Sequence, residues 1–186
     1  MKRAFDVLAA AVGLIVLALP LAGLWLLVRL TSPGPGLYWS QRVGKSSTLF
    51  PMPKFRTMRI DTPEVATHLL EDPDQWLTPI GPLMRKLSLD ELPQLWSVLV
   101  GHMSLVGPRP ALFNQDDLVA ARRAAGVDVL RPGVTGWAQI NGRDELAIPD
   151  KVALDAEYLR RRSFLFDLRI MVSTVAPVLT GKGVTR

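Results

Sequence analysis

A chain of 186 residues with a formal charge of +5 and 48% hydrophobic residues is long enough for one compact domain and too short for two ordinary ones. It has no cysteine, which excludes disulfides and thiolate metal sites, and only His68 and His102 offer imidazole chemistry. The basic charge suits nucleic acid, anionic lipid or a phosphorylated substrate, but aromatic residues are only 7% and form no run interleaved with Lys or Arg, which argues against nucleic acid.

Val7 to Leu30 is an almost uninterrupted apolar run, uncharged from residue 7 to 28, just after Met1-Lys2-Arg3. It exceeds the core of a secretory signal and meets no small-residue cleavage site before Arg29, so it is expected to be retained. About 20 apolar residues suffice to cross a bilayer, which allows a straight span. Two features favour a re-entrant helix instead. Pro20 sits mid-run, where it removes a backbone hydrogen bond and kinks the helix. Basic residues flank both ends, Lys2 and Arg3 before and Arg29, Arg42 and Lys45 after, and positive flanks mark the cytoplasmic face. The expected division is a re-entrant membrane helix over 1–30 and a cytosol-facing domain over 31–186.

Thr31-Ser-Pro33-Gly-Pro35-Gly36 ends the helix. Residues 37–42 and 49–58 then read as short strands, the second confined to an edge or bulge by Pro51 and Pro53. Period-two alternation puts Lys54 and Arg56 on one face and Phe55 on the other. That basic face is either a solvated edge or an anion-facing pair. Residues 61–76 hold five acids without a Lys or Arg, which predicts an exposed helix followed by a mobile loop. Gly81 to Lys86 leads into the next element, and Ala111 to Ala125 is expected to be helical. Residues 131–143 form a glycine-rich loop with some strand character, either connecting turns or a cradle of backbone amides for phosphate or sugar. Pro149 to Leu179 is helical in pattern. Its stripe of Leu165, Leu168, Val172, Val175 and Leu179, flanked by Arg160, Arg161, Arg162 and Arg169, suits a lipid surface or a core. The fold class expected is α+β, mostly helical with a small β element and interfacial amphipathic helices.

The densest stretch is Ser88-Leu-Asp90-Glu91-Leu-Pro93-Gln, followed by Gly107-Pro-Arg109-Pro110. Two adjacent carboxylates behind Arg85 and Lys86 suit a nucleophile beside a metal ligand. The competing reading is local: Ser88-x-x-Glu91 matches a capping box, with Leu87 and Leu92 as a staple. Pro93 complicates it, because a proline there costs the Leu89 carbonyl its helical partner. A helix starting nearer Pro93 frees both carboxylates. Its N-terminus, with Arg85 and Lys86 nearby, is expected to keep Asp90 ionised.

Asp90-Glu-Leu-Pro-Gln-Leu, Met103-Ser-Leu-Val-Gly-Pro-Arg109-Pro110, Lys54-Phe-Arg-Thr-Met58 and Arg131-Pro-Gly-Val-Thr-Gly-Trp-Ala-Gln-Ile-Asn-Gly-Arg143 together resemble the bacterial sugar transferases. More narrowly, the chain is similar to the small monotopic phosphoglycosyl transferases, the polyprenol-phosphate sugar-1-phosphate transferases that begin glycoconjugate assembly. The resemblance runs from Lys2-Arg3-Ala-Phe-Asp6 to the C-terminal helix. It implies transfer of a sugar-1-phosphate from a UDP-sugar to undecaprenyl phosphate, with Mg²⁺, at the cytoplasmic face of the bacterial inner membrane. By the same resemblance Asp90 attacks the sugar-linked phosphate, releases UMP and holds an acyl-phosphate intermediate. Glu91 is the implied metal ligand. Lys54, Arg56, Arg85, Arg109 and Arg143 are the implied phosphate clamps, and 31–186 the catalytic domain.

The chain departs from the family's usual pattern at Leu19-Pro20, where Ser commonly precedes the proline, and at Gly101-His102, where an Asp is usual. No role is carried over to His102. Asp167, beside Arg169 in an apolar helix, reads as a member of a structural pair rather than an active-site orienter. The alternatives are a magnesium-dependent membrane phosphohydrolase, with water as acceptor, and a non-catalytic membrane adaptor binding anionic lipid. Membrane lipid is a partner in every version, nucleic acid in none, and oligomeric state is open.

Overall fold

The N-terminal apolar run forms two helices rather than one, α1 (Lys2–Val16) and α2 (Ala18–Thr31), bent by 63° at Leu17. The bend puts Pro20 in the first turn of α2, where a missing N–H withdraws a donor that has no intrahelical acceptor anyway. Backbone bonds from Leu17 to Gly13 O (2.9 Å) and from Leu21 to Leu17 O (2.8 Å) carry the chain through the break. The kink expected at Pro20 is therefore present, three residues upstream of the proline itself. No single helix among the described residues is long and apolar enough to cross a membrane, although the bent pair is by length and composition. This computed structural model describes residues 1–63, 72–142 and 146–180, with side chains to 175.

Neither helix stands apart from the rest. Ala10 of α1 is buried with Phe50, Met52, Val98 and Met103. Val28 of α2 is buried with Phe55 and Met84. Gly13 lets α1 approach α4 (Gln94–Val100), since a Cβ there would lie 3.1 Å from Leu95 Cδ1. Lys2 and Arg3, expected as a basic flank, also fasten the chain's start: Lys2 Nζ bonds Asp167 Oδ2 (2.6 Å), and Arg3 donates to the Leu99 and Met103 carbonyls. Asp6, the last residue of the Lys2-Arg3-Ala-Phe-Asp6 segment, is buried and accepts from Ser104 Oγ and the Leu105 N–H. The opposite side of the pair leaves Leu8, Val12, Ile15 and Leu19 exposed.

β1 (Leu37–Val43) and β2 (Leu49–Phe55) form an antiparallel hairpin with Ser40 opposite Met52. The Arg56 N–H donates to Gly36 O at 3.1 Å, which sets the even-numbered residues of β2 toward the partner strand. Pro51 and Pro53 therefore fall where the N–H points away, as an edge position requires. The strand predicted to run to residue 58 stops at Phe55, and Met58 makes only an isolated bridge to Leu77. A second, parallel pair joins β3 (Ser104–Val106) to β4 (Gly133–Thr135). It explains the glycines of the 131–143 loop. A Cβ on Gly133 would lie 2.1 Å from Gly107 N, and one on Gly136 2.1 Å from Gly107 O, so both serve close backbone packing.

Short α3 (Gly81–Lys86) and α4 flank the acidic pair. The helix expected over 111–125 begins only at Asp116 (α5, Asp116–Ala124), because Leu112 bridges to Arg42 and its N–H is taken by Gln115 Oε1. A four-residue α6 (Trp137–Ile140) follows β4. The C-terminal stretch is two helices, α7 (Ile148–Arg161) and α8 (Phe164–Thr180), parted at Arg162-Ser163, where Ser163 Oγ accepts the Phe166 N–H. α8 buries Phe166 and Ile170 against Val106 and Tyr158. Of the predicted stripe, Leu165 (77%), Val172 (73%) and Val175 (57%) are exposed, so the core reading fails for these three; Leu168 is half-buried, and the Leu179 side chain lies outside the described residues. The helix expected between 61 and 76 lies mostly outside the described residues; its described end is a 3-10 turn, Pro73–Trp76. The α+β class expected, mostly helical with little sheet, matches.

Candidate active site

Asp90 and Glu91 stand on a single 3-10 turn, Leu89–Glu91, between α3 and α4. Ser88 enters it with φ of 53°, a left-handed conformation costly for a residue with a Cβ, and its side chain does not cap the turn. The capping box is thus not formed. The Leu92 N–H takes the Leu89 carbonyl at 3.3 Å in 3-10 fashion, and α4 starts after Pro93, which occupies its N-cap. Pro93 therefore removes the carboxylates from capping, as one of the two sequence readings requires.

Glu91 is clamped by two cations. Its Oε1 accepts from Lys54 Nζ at 2.8 Å and from Arg109 Nη2 at 2.9 Å, while Arg109 Nη1 approaches Oε2 only to 3.5 Å. Lys54 Nζ also lies 4.0 Å from Asp90 Oδ2. Burial pushes the Glu91 carboxyl up, but Arg109 and Lys54 outweigh it and hold the group well below the usual carboxylate range. Asp90 goes the other way. Burial raises it, Lys54 opposes, and the ionised Glu91 next door raises it further. The expectation that a helix N-terminus holds Asp90 low is corrected on two counts: the turn is too short to carry such a dipole, and Asp90 is only 7% exposed.

Arg85 is half-buried beside the pair, donates from Nε to Thr57 Oγ1 at 3.1 Å, and is pushed down by desolvation while Asp90 and Glu91 pull it back up. Arg56 is not brought to the carboxylates. Its buried guanidinium donates to Pro35 O (2.7 Å), Ser32 O (3.0 Å) and Ser32 Oγ (2.8 Å), so it holds the Pro-Gly loop after α2. The alternation that grouped it with Lys54 ceases where β2 ends. Arg143 lies outside the described residues.

Arg109 is positioned by residues that local sequence does not reveal. Arg122 of α5 donates from Nη1 to the Arg109 carbonyl at 2.8 Å, and from Nε and Nη2 to Asp155 Oδ2 of α7 at 2.9 and 2.7 Å. Arg42 Nη1 reaches Pro110 O at 3.2 Å. Pro108 and Pro110 stiffen the turn from within, and these bonds fix it from outside. Asp167 forms the structural pair expected, with Lys2 and with Tyr158 OH at 2.7 Å. His102 is exposed, with its ring against Phe50.

No group of three or more His, Cys, Asp or Glu side chains able to hold a metal occurs among the described residues. The pair nevertheless suits a hard divalent ion of the magnesium type. Such an ion is commonly held by one or two carboxylates with substrate phosphates and waters completing its shell. Glu91, kept ionised, and its neighbour Asp90 match that donor set. An acid–acid pair ringed by Lys54, Arg85 and Arg109 has the charge pattern of a site that draws a phosphate toward a carboxylate.

The same site lies inside a much wider likeness. Residues 1–181 match the model of the family described as bacterial sugar transferase. An uncharacterized sugar transferase, EpsL, of Bacillus subtilis (strain 168) is 41% identical over 184 residues, covering 99% of this chain and 90% of that protein. The undecaprenyl-phosphate glucose phosphotransferase of Komagataeibacter xylinus is 40% identical over 94% of this chain, which spans 35% of that longer protein. The undecaprenyl-phosphate galactose phosphotransferase of Salmonella typhimurium is 37% identical over 98% of this chain and 41% of its own length. With the acidic turn, the Pro-Arg-Pro turn and both terminal helices all inside the matched span, the chain belongs to the bacterial sugar transferase family and is an enzyme of that class.

Proposed function

We propose that this enzyme moves a sugar-1-phosphate from a UDP-sugar to undecaprenyl phosphate and releases UMP, at the cytoplasmic face of the bacterial inner membrane. The observation that carries the reading is the unequal setting of two neighbours: Glu91 is clamped by Lys54 at 2.8 Å and Arg109 at 2.9 Å, while buried Asp90 beside it has Lys54 Nζ no closer than 4.0 Å. The names of relatives such as the glucose and galactose phosphotransferases support the acceptor, and that of the UDP-N-acetylgalactosamine-undecaprenyl-phosphate N-acetylgalactosaminephosphotransferase of Aeromonas hydrophila supports the donor class.

The reaction runs in two displacements. An Asp90 carboxylate oxygen attacks the sugar-linked phosphorus; an O–P bond forms, the P–O bond to UMP breaks, and UMP leaves with the electron pair. The phosphate oxygen of undecaprenyl phosphate then attacks the same phosphorus, and Asp90 departs as a carboxylate. Each step brings anion to anion, so the site must quench charge before it does chemistry. Lys54, Arg85 and Arg109 supply fixed positive charge around the pair. A phosphate arriving at Lys54 and Arg109 competes with Glu91 for them, which frees Glu91 to serve as a metal ligand. A bound Mg²⁺ supplies further neutralisation of the diphosphate and leaving group. Two bulky substrates use one small site in turn because the covalent relay never needs both at once.

The membrane reading rests on surfaces. The bent α1–α2 pair, its exposed leucines and valines, and the outward stripe of α8 together leave apolar area that water disfavours. Trp25, with Arg29 over its ring at 5.9 Å, suits a headgroup-level anchor at the end of a re-entrant hairpin. The re-entrant helix over 1–30 then presents the 31–186 catalytic domain to the cytosol. The deciding experiment measures UMP release by purified protein with a panel of UDP-sugars and undecaprenyl phosphate. Wild type is expected to release UMP and Asp90→Asn to release it about a thousandfold more slowly or worse; equal release by the variant would remove the reading.

A further inference from the structure

Away from the acidic pair, a cavity of ≈ 390 Å³ opens between the start of α1, the α7–α8 junction and β3. Its lining holds five basic side chains, Lys2, Arg3, Lys45, Arg131 and Arg162, against two acids, Asp6 and Asp167. Both acids are committed, Asp6 to Ser104 and Leu105, Asp167 to Lys2 and Tyr158. Three of the cations are held by bonds from their charged heads: Lys2 Nζ to Val106 O and Asp167 Oδ2, Arg3 Nη1 and Nη2 to two carbonyls, and Arg131 Nε to Gly101 O. Arg162 and Lys45 make no ion pair among the described residues. None of Lys54, Arg85 or Arg109 lines this cavity, so it is distinct from the transferase site.

Its surroundings say what kind of anion fits. Phe164 lines the cavity while remaining 43% exposed, and its ring packs edge-on against Phe5 of α1 at 5.2 Å. It is followed immediately by exposed Leu165, and Val129 and Leu130 line the other side. A cationic hollow bordered by outward apolar side chains matches a ligand with an anionic head and an apolar tail. We infer that this cavity is a second anion site, and that it seats the phosphate of a glycerophospholipid headgroup. The inference rests on the membrane reading above, since only a chain at the bilayer surface meets such a headgroup.

The test uses the full chain in neutral detergent, with native mass spectrometry of protein titrated separately with short-chain phosphatidylglycerol, short-chain phosphatidylcholine and glycerol 3-phosphate. Wild type is expected to retain one phosphatidylglycerol in preference to phosphatidylcholine. Lys45→Gln with Arg162→Gln, two residues outside any ion pair, is expected to weaken that adduct by at least about tenfold. The charge-matched pair Arg59→Gln with Arg123→Gln, neither of which lines the cavity, should leave it unchanged. Equal weakening by both pairs, or full retention by the first, overturns the site. Glycerol 3-phosphate binding as tightly as the lipid overturns the headgroup assignment. Flotation on neutral phosphatidylcholine vesicles tests the membrane reading by itself: a variant that floats like wild type but loses the adduct separates the two.

Discussion

Arg122 Nη1 meets the carbonyl oxygen of Arg109 at 2.8 Å, so an arginine buried on α5 fixes the backbone of the arginine that clamps Glu91. The rest of the Arg122 guanidinium is satisfied by Asp155, itself 1% exposed. Removing either partner alone leaves an uncompensated buried charge, which costs about 3–5 kcal/mol. Arg122→Met with Asp155→Leu replaces the pair by apolar groups and is expected to fold with stability within about 1–2 kcal/mol of wild type. It still loses the bond to Arg109 O, so kcat for UMP release should drop about tenfold or more with KM for the donor little changed. Thermal unfolding and steady-state kinetics on the double variant check both halves.

Replacing Asp90 should separate stability from catalysis. Burial makes the ionised form costly, and a group with a raised folded pKa contributes stability below its unfolded value that is lost as pH rises through the folded one. Asp90→Asn is therefore expected to raise the melting temperature at pH 7.5, on a scale where about 1 kcal/mol is worth about 2–4 °C in a chain of this size. UMP release should fall by about a thousandfold or more.

The pH–rate profile carries the sign of the same coupling. Attack needs Asp90 deprotonated, so the acid limb of kcat/KM should lie above the usual aspartate range. Lys54→Met removes a charge that lowers Asp90, and should move that limb to higher pH. Glu91 behaves oppositely. Its depressed pKa gives stability present above its unfolded value and lost only as pH falls through the folded one, so activity should fade on acidification before the fold does. Parallel rate and circular-dichroism titrations show the order.

Metal removal should silence chemistry without unfolding the protein, because the described clamp on Glu91 is made by side chains alone. Chelation is expected to abolish UMP release, Mg²⁺ to restore it, and the melting temperature to stay within about 1 kcal/mol equivalent throughout. Glu91→Gln should raise the Mg²⁺ concentration for half-maximal rate and destabilise by about 1–3 kcal/mol, since Lys54 and Arg109 lose their carboxylate.

The α8 stripe predicts how the protein meets lipid. Leu165 and Val172 are exposed side chains whose full burial is worth about 1.5–3 kcal/mol each. Leu165→Asp with Val172→Asp should lower partitioning onto neutral vesicles by at least about a hundredfold while leaving circular dichroism unchanged.

Features set by a few neighbouring residues were legible in the sequence. Pro20 announces the bend of α1–α2, Pro93 displaces the start of α4, and the prolines of β2 mark an edge. Features set by distant partners were not. Nothing local to Arg122 points to Asp155, 33 residues away on another helix, or to Asp6 under Ser104. Lys54 and Arg56 look alike in sequence, yet β2 ends between them and sends one to Glu91 and the other to the Ser32–Pro35 loop. The α7–α8 break had a signal, a serine ahead of a fresh apolar turn at Ser163, hidden inside a continuous helical pattern.

The most direct test incubates the protein with a UDP-sugar labelled in the sugar-linked phosphate, without acceptor, and follows the label by intact mass and peptide mapping. One sugar-phosphate adduct is expected on the peptide carrying Asp90, discharged by adding undecaprenyl phosphate and absent from Asp90→Asn. Transfer to undecaprenyl phosphate at full rate by Asp90→Asn, with no protein-bound label in either form, would contradict it.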